Sequence, residues 1–156
     1  MAAVYLASYK SVHKSLHGLV NIAIRALDNG PYSHTEIVLG DPFDGAPVDS
    51  LSASGLDGGV RIKPIAFDPA RWDFVPLPWV QEADARALGK DLDGFGYDYW
   101  GVTRFALPWA VREHPTRLFC SEIAAMVMGL KEPWRVSPNG LHAIAISLAR
   151  MTRGAA

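Results

Sequence analysis

One cysteine, Cys120, stands in the 156 residues of the chain. A single thiol excludes an intrachain disulfide framework and any metal site built from clustered thiolates. Acidic and basic residues nearly cancel, leaving a net charge of −1 with no long basic run, which argues against nucleic acid as the main partner. No apolar run reaches the length of a membrane span, so stable membrane insertion is not expected. Residues Met1 to Lys10 lack the basic start and apolar core of a signal peptide, and the expectation is a soluble domain that is cytoplasmic as synthesised. There is no internal repeat and no low-complexity segment. Gly55, Gly58 and Gly59 do not make a nucleotide loop, because they lie between two strands and precede no helix. His13 and His17 have the i, i+4 spacing of a ligand pair, but no carboxylate or third histidine flanks them. No metal and no cofactor are implied.

What remains is a chain that can build a core. Hydrophobic residues make up 49% and charged residues 20%, which fits one folded domain over residues 1–156 rather than a disordered segment. Val4, Leu6 and Ser8 alternate with Tyr5, Ala7 and Tyr9, the pattern of a strand buried on both faces. A helix from about Leu16 to Leu27 follows, capped by Ser15 and ended by Asp28-Asn29-Gly30-Pro31. Strands are expected at about Tyr32–Gly40, Val48–Ser54, Val60–Lys63 and Trp72–Leu77, the last at a sheet edge or a strand end because it contains Pro76. Together they read as an antiparallel β-meander. Gln81 to Leu92 is helical in composition, and Tyr97 to Leu107 reads as a short aromatic helix. Ser137 followed by Pro138 opens a last helix carrying Leu141, Ile144, Ala145 and Leu148, with His142 exposed in its first turn and the end fraying from Met151. The class is α+β.

Cys120 opens the apolar run Ile123 to Met128, bounded by Pro115 upstream and Gly129 downstream. This is a short buried helix with the cysteine in its first turn. There the helix dipole and the unpaired backbone N–H groups favour thiolate, which is the nucleophilic form. A lone cysteine is equally consistent with a small core hydrophobe. His34 begins a strand after a Gly-Pro turn, and Glu36, two residues on, points to the same face. A Cys–His pair needs a base within reach of the thiol and a polar group that fixes the imidazole.

Four segments occur in order: Pro31-Tyr32-Ser33-His34-Thr35-Glu36-Ile37-Val38, Asp57-Gly58-Gly59-Val60-Arg61, Gly96-Tyr97-Asp98-Tyr99-Trp100-Gly101 and Phe119-Cys120-Ser121-Glu122. They resemble the permuted papain-like cysteine hydrolases of the YaeF/YiiX type. That branch of the NlpC-like superfamily is circularly permuted and has relatives among the lecithin:retinol acyltransferases. The resemblance covers about Val4 to Leu148 and has the permuted order, His strand first and Cys helix late. It implies a circularly permuted papain-like fold in which the meander packs against helices including the Cys helix. It implies Cys120 as nucleophile and His34 as base, with Tyr32, Tyr97 and Trp100 walling a substrate site. Related proteins carry the orienting residue on the strand after the His strand, often as Glu or His. Here that strand offers Ser50, Ser52 and Ser54. Ser52 is the choice on position, with Glu36 as the alternative. A serine accepts the imidazole N–H but does not stabilise imidazolium as a carboxylate does.

The expected activity is a cysteine peptidase or amidase acting on a peptide or small amide, cell-wall peptide included, through an acyl-enzyme. Two other readings stand beside it. One is a lipid acyltransferase or thioesterase, whose apolar mouth Trp72, Phe74, Trp79, Trp100 and Trp109 would supply. The other is a non-catalytic binding or assembly module of a phage or prophage particle. Arg61, Lys63, Arg104 and Arg117 offer cations for a carboxylate or phosphate, or belong to solvated surface.

Overall fold

A computed structural model describes residues 3–11, 25–26, 29–98 and 115–154. The helix expected over Leu16–Leu27 lies almost wholly outside these residues. So do His13, His17 and most of the aromatic segment, with Trp100, Arg104 and Trp109.

Apolar alternation builds the sheet. β1 (Val4–Tyr9), β2 (His34–Leu39), β3 (Val48–Ser54), β4 (Gly59–Ile65) and β5 (Trp72–Pro76) are joined by the two-residue β6 (Gly96–Tyr97) and β7 (Arg117–Leu118) in the order β5-β1-β2-β3-β4-β6-β7. Successive side chains of a strand face opposite ways, so each strand supplies two faces. Val4 and Leu6, Ile37 and Leu39, Leu51 and Ala53, Val60 and Val75 form one apolar face. Ala7, Val38 and Phe67 anchor a smaller cluster on the other, with Tyr5, Trp72 and Phe74 against it.

Among the described residues, three α-helices cover the first face: α1 (Glu82–Asp91), α2 (Cys120–Val127) and α3 (Pro138–Gly154). Their buried residues Ala85, Ile123, Ala124, Ala125, Leu141, Ala145 and Ala149 join the larger core. The architecture is α+β, as the sequence indicates. Neighbours β1 to β4 are antiparallel, but β5 does not extend the meander; it crosses back to pair with β1, Tyr9 opposite Trp72. As expected, β5 is an edge strand of the sheet. Tyr97 is in a strand rather than a helix, paired with Leu118.

The ends of α2 and α3 follow from local chemistry. Gly129 adopts φ 74°, its N–H bonds the Met126 carbonyl, and the Leu130 N–H bonds that of Ala125. This glycine-dependent closure satisfies two carbonyls at the end of the Cys helix. Ser137 caps α3 with Pro138 at the first position, its Oγ accepting the Gly140 N–H at 3.1 Å. α3 then runs unfrayed to Gly154, beyond the expected end.

β4 meets β6 through one pair, Gly59 opposite Gly96. A Cβ on Gly59 would lie 2.1 Å from the Phe95 carbonyl oxygen, and the residue has φ 152°. Gly59→Ala is therefore expected to lower stability by about 2 kcal/mol or more, measured as a lower urea midpoint. A midpoint equal to wild type would contradict this close approach of β4 and β6.

Candidate active site

β2 and β3 pair at Ile37–Leu51 and Val38–Ser50; toward His34 no further pairs form. The Thr35 carbonyl, without a strand partner there, accepts the Ser52 hydroxyl at 2.7 Å. The Thr35 N–H is directed at the Cys120 sulfur. The first residue of α2 thus enters where the strands part. β7 delivers it: Leu118 packs in the core, Phe119 is extended at φ −113°, and the helix starts at Cys120. Ser121 Oγ fastens the helix start by donating to the Val136 carbonyl at 2.7 Å.

His34 and Cys120 are brought together. The imidazole and the thiol act on one another as neighbouring charges and hydrogen-bonding groups, and His34 Nε2 lies 2.8 Å from Glu36 Oε1. With Nε2 committed to Glu36, Nδ1 is the nitrogen left for the thiol. Cys120 is 2% exposed, whereas the His34 side chain retains 23%.

Glu36 is held by three partners. Besides His34, its Oε2 accepts Ser50 Oγ at 2.9 Å and an Arg61 guanidinium N–H at 2.7 Å, and a second Arg61 nitrogen reaches Oε1. Arg61 Nε is braced by Asp57 Oδ2 at 2.9 Å, and Lys63 Nζ closes on the same carboxylate at 2.6 Å. These side chains line the sheet face turned away from the helices and link Cys120, His34, Glu36, Arg61 and Asp57 in series.

The charges follow the contacts. Burial works against the charged forms of both Cys120 and His34 and is outweighed by their mutual attraction. The thiol is driven below its ordinary value, with help from the Thr35 N–H and hydroxyl, and the imidazole is driven above its own, with help from Glu36. Burial likewise opposes the Glu36 carboxylate, but Arg61 and His34 hold its pKa down to about 2. Both shifts act in the direction of thiolate beside imidazolium, backed by a carboxylate.

Ser52 is corrected as the orienting residue, because its hydroxyl is committed to the Thr35 backbone. Glu36, the alternative, is the residue on the imidazole, with Ser50 and Arg61 supporting it. Arg61 is neither solvated surface nor a free anion site; its side chain is 13% exposed and spent on two carboxylates. Register carries the missed signal: Ser52 stands opposite Arg61, and Ser50 opposite Val38. These pairings put the hydroxyl and the guanidinium on the face that Glu36 shares.

Tyr32 does not stand free at the site. Its hydroxyl donates to Asp73 Oδ2 at 2.8 Å and lies 3.2 Å from His142 Nε2, and its ring stacks on His142 at 4.3 Å. His142 is buried rather than exposed, with Nδ1 2.9 Å from Ser8 Oγ. Asn139 clamps the backbone of Tyr32 from both sides, accepting its N–H at 2.9 Å and donating to its carbonyl at 3.0 Å. The start of α3 thereby fixes the turn that leads into His34. Tyr97 is half-buried against the main core, opposite Leu118, which lies just before the Cys helix.

Among the described residues, no group of three or more His, Cys, Asp or Glu side chains is placed to hold a metal ion, and no helix is long and apolar enough to cross a membrane. The chain matches no protein-family model and no curated protein.

Because the unfolded chain binds a proton at Glu36 near pH 4.5 and the folded chain only near 2, the stability that Glu36 contributes is full above about pH 4.5 and lost as pH falls toward 2. Glu36→Gln should remove that part of the acid dependence and cost about 3 kcal/mol at pH 7, since it takes away one of the two carboxylates that balance the buried Arg61 charge. Urea denaturation of both proteins from pH 2 to 7 measures this; parallel curves would contradict it.

Proposed function

We propose that the protein is a cysteine hydrolase of permuted papain-like fold that cleaves an amide, of the peptide or amino-acyl kind. The observation that carries this reading is the single line from Cys120 through the His34 ring to Glu36. It supplies a nucleophile, a base and an orienting carboxylate in hydrogen-bonding contact. The fold reading is supported by the order of the parts, with the His strand early and the Cys helix late on the face of an antiparallel sheet.

The Cys120 thiolate attacks the carbonyl carbon; a C–S bond forms and the carbonyl oxygen takes the negative charge. Backbone N–H groups at the start of α2, that of Cys120 included, are free of intrahelical partners by helix geometry and stabilise this oxyanion. The imidazolium gives its proton to the leaving nitrogen as the C–N bond breaks, and an acyl thioester remains. His34 then takes a proton from water, which attacks the thioester and restores the thiolate. Glu36 remains ionised, holds the ring and balances its charge.

A second reading, transfer or hydrolysis of a lipid acyl group, is favoured by the aromatic row beside His34. Trp72 lies 6.2 Å from the imidazole, Phe67 and Phe74 follow, and Phe43 at the far end is 58% exposed. Turnover of long-chain acyl thioesters in preference to aminoacyl amides would favour it.

Iodoacetamide alkylation across pH tests the reactive pair without knowledge of the substrate. The wild-type thiol should react with an apparent pKa at least about one unit below the free value of about 8.5. His34→Ala should return it to that value or above, and Cys120→Ser should abolish labelling. Equal, slow labelling of wild type and His34→Ala would overturn the hydrolase reading and leave a binding module of this fold.

A further inference from the structure

Two hydroxyls that flank His34 are buried without any hydrogen-bond partner: Ser33 Oγ and Thr35 Oγ1. Ser33 is 1% exposed and Thr35 fully buried. Buried hydroxyls are almost always paired, and an orphan calls for an explanation. The neighbouring Ser52 finds the Thr35 carbonyl and Ser50 finds Glu36, so this strand pair does not lack ways to satisfy a hydroxyl. Thr35 differs from Ser33 in what it faces. Alternation along the strand turns its side chain to the helix face with Ile37 and Leu39, the face on which α2 starts at Cys120, and both its N–H and its hydroxyl act to lower the thiol pKa.

We propose that Thr35 is a further catalytic residue, whose hydroxyl donates a hydrogen bond to Cys120 Sγ when the sulfur is anionic. Oγ1 then stands beside the sulfur with no competing partner, and a thiolate accepts such a hydroxyl far more strongly than a neutral thiol does. The residue lies beside the base in sequence and on the strand next to the Cys helix, at the level where β2 and β3 part. Its backbone is fixed on both sides: Ser52 holds its carbonyl, and its register partner Ser8 is fixed in turn by His142. The hydroxyl is therefore presented by a rigid frame, with no reorganisation needed as charge appears on the sulfur. The proposal rests on the thiolate–imidazolium reading above.

Thr35→Val removes the hydroxyl and keeps the branched shape, and Thr35→Ser restores the donor. Both are compared with wild type, His34→Ala and Ser33→Ala by the pH dependence of iodoacetamide alkylation. Thr35→Val should raise the apparent thiol pKa, slowing alkylation about tenfold at pH 6. Thr35→Ser should recover most of the rate, and Ser33→Ala should leave the profile unchanged. If Thr35→Val does not fold, Thr35→Ala takes its place under the same expectation. A Thr35→Val profile that overlays wild type, while His34→Ala still raises the pKa, would overturn the role of Thr35 and leave the Cys–His pair intact. An equal rise in Ser33→Ala would also overturn it, because any disturbance beside His34 would then suffice. A wild-type thiol of ordinary pKa would remove the pair and the proposal together.

Discussion

Glu36 keeps a carboxylate at 1% exposure. Taking such a group out of water costs several kcal/mol unless its oxygens are fully paired. His34, Ser50 and Arg61 provide that pairing, and each is consequently fixed in place. The imidazole is oriented because the carboxylate needs a donor at Oε1. Arg61 is drawn out of solvent for the same reason, and Asp57 and Lys63 balance its far side. The direction of causation runs from the buried acid outward to the reactive pair.

The backbone makes room for this arrangement. Had β2 and β3 stayed paired to their ends, the Thr35 N–H and carbonyl would have been consumed by the ladder. Because they part, one group meets the Ser52 hydroxyl and the other meets the Cys120 sulfur. The helix face of the sheet and the face that carries His34 and Glu36 are thereby connected at one point. On the far side, Asn139 and His142 of α3 tie down the turn before His34 and link it to Ser8, Tyr32 and Asp73. The base is held from both directions along its own chain.

Much of the fold was legible from local rules. Alternation located the strands, Gly129 closed the Cys helix, and Ser137-Pro138 opened the last one. The candidate pair was legible because a cysteine in a first helical turn and a histidine at a strand mouth carry specific chemistry. The rest depended on distance. That β5 returns to β1 is a long-range pairing that no local pattern in Trp72–Pro76 encodes, and it is this crossing that brings Asp73 to Tyr32. Alternation placed Glu36 on the His34 face but could not tell that Ser52 spends its hydroxyl on a backbone carbonyl. Arg61 and His142 read as surface because their burial is set by partners on other elements.

The central claim is that His34 and Cys120 rest as imidazolium and thiolate, with Glu36 behind the ring. Nitrogen NMR of the His34 side chain, titrated in wild type and in Cys120→Ser, observes this directly. The account predicts that the wild-type ring stays doubly protonated well above the ordinary histidine pKa of about 6.5, with Nε2–H hydrogen-bonded to Glu36, and that Cys120→Ser loses its proton at a distinctly lower pH. A ring that titrates at the same pH in both proteins, near the ordinary value, would contradict it.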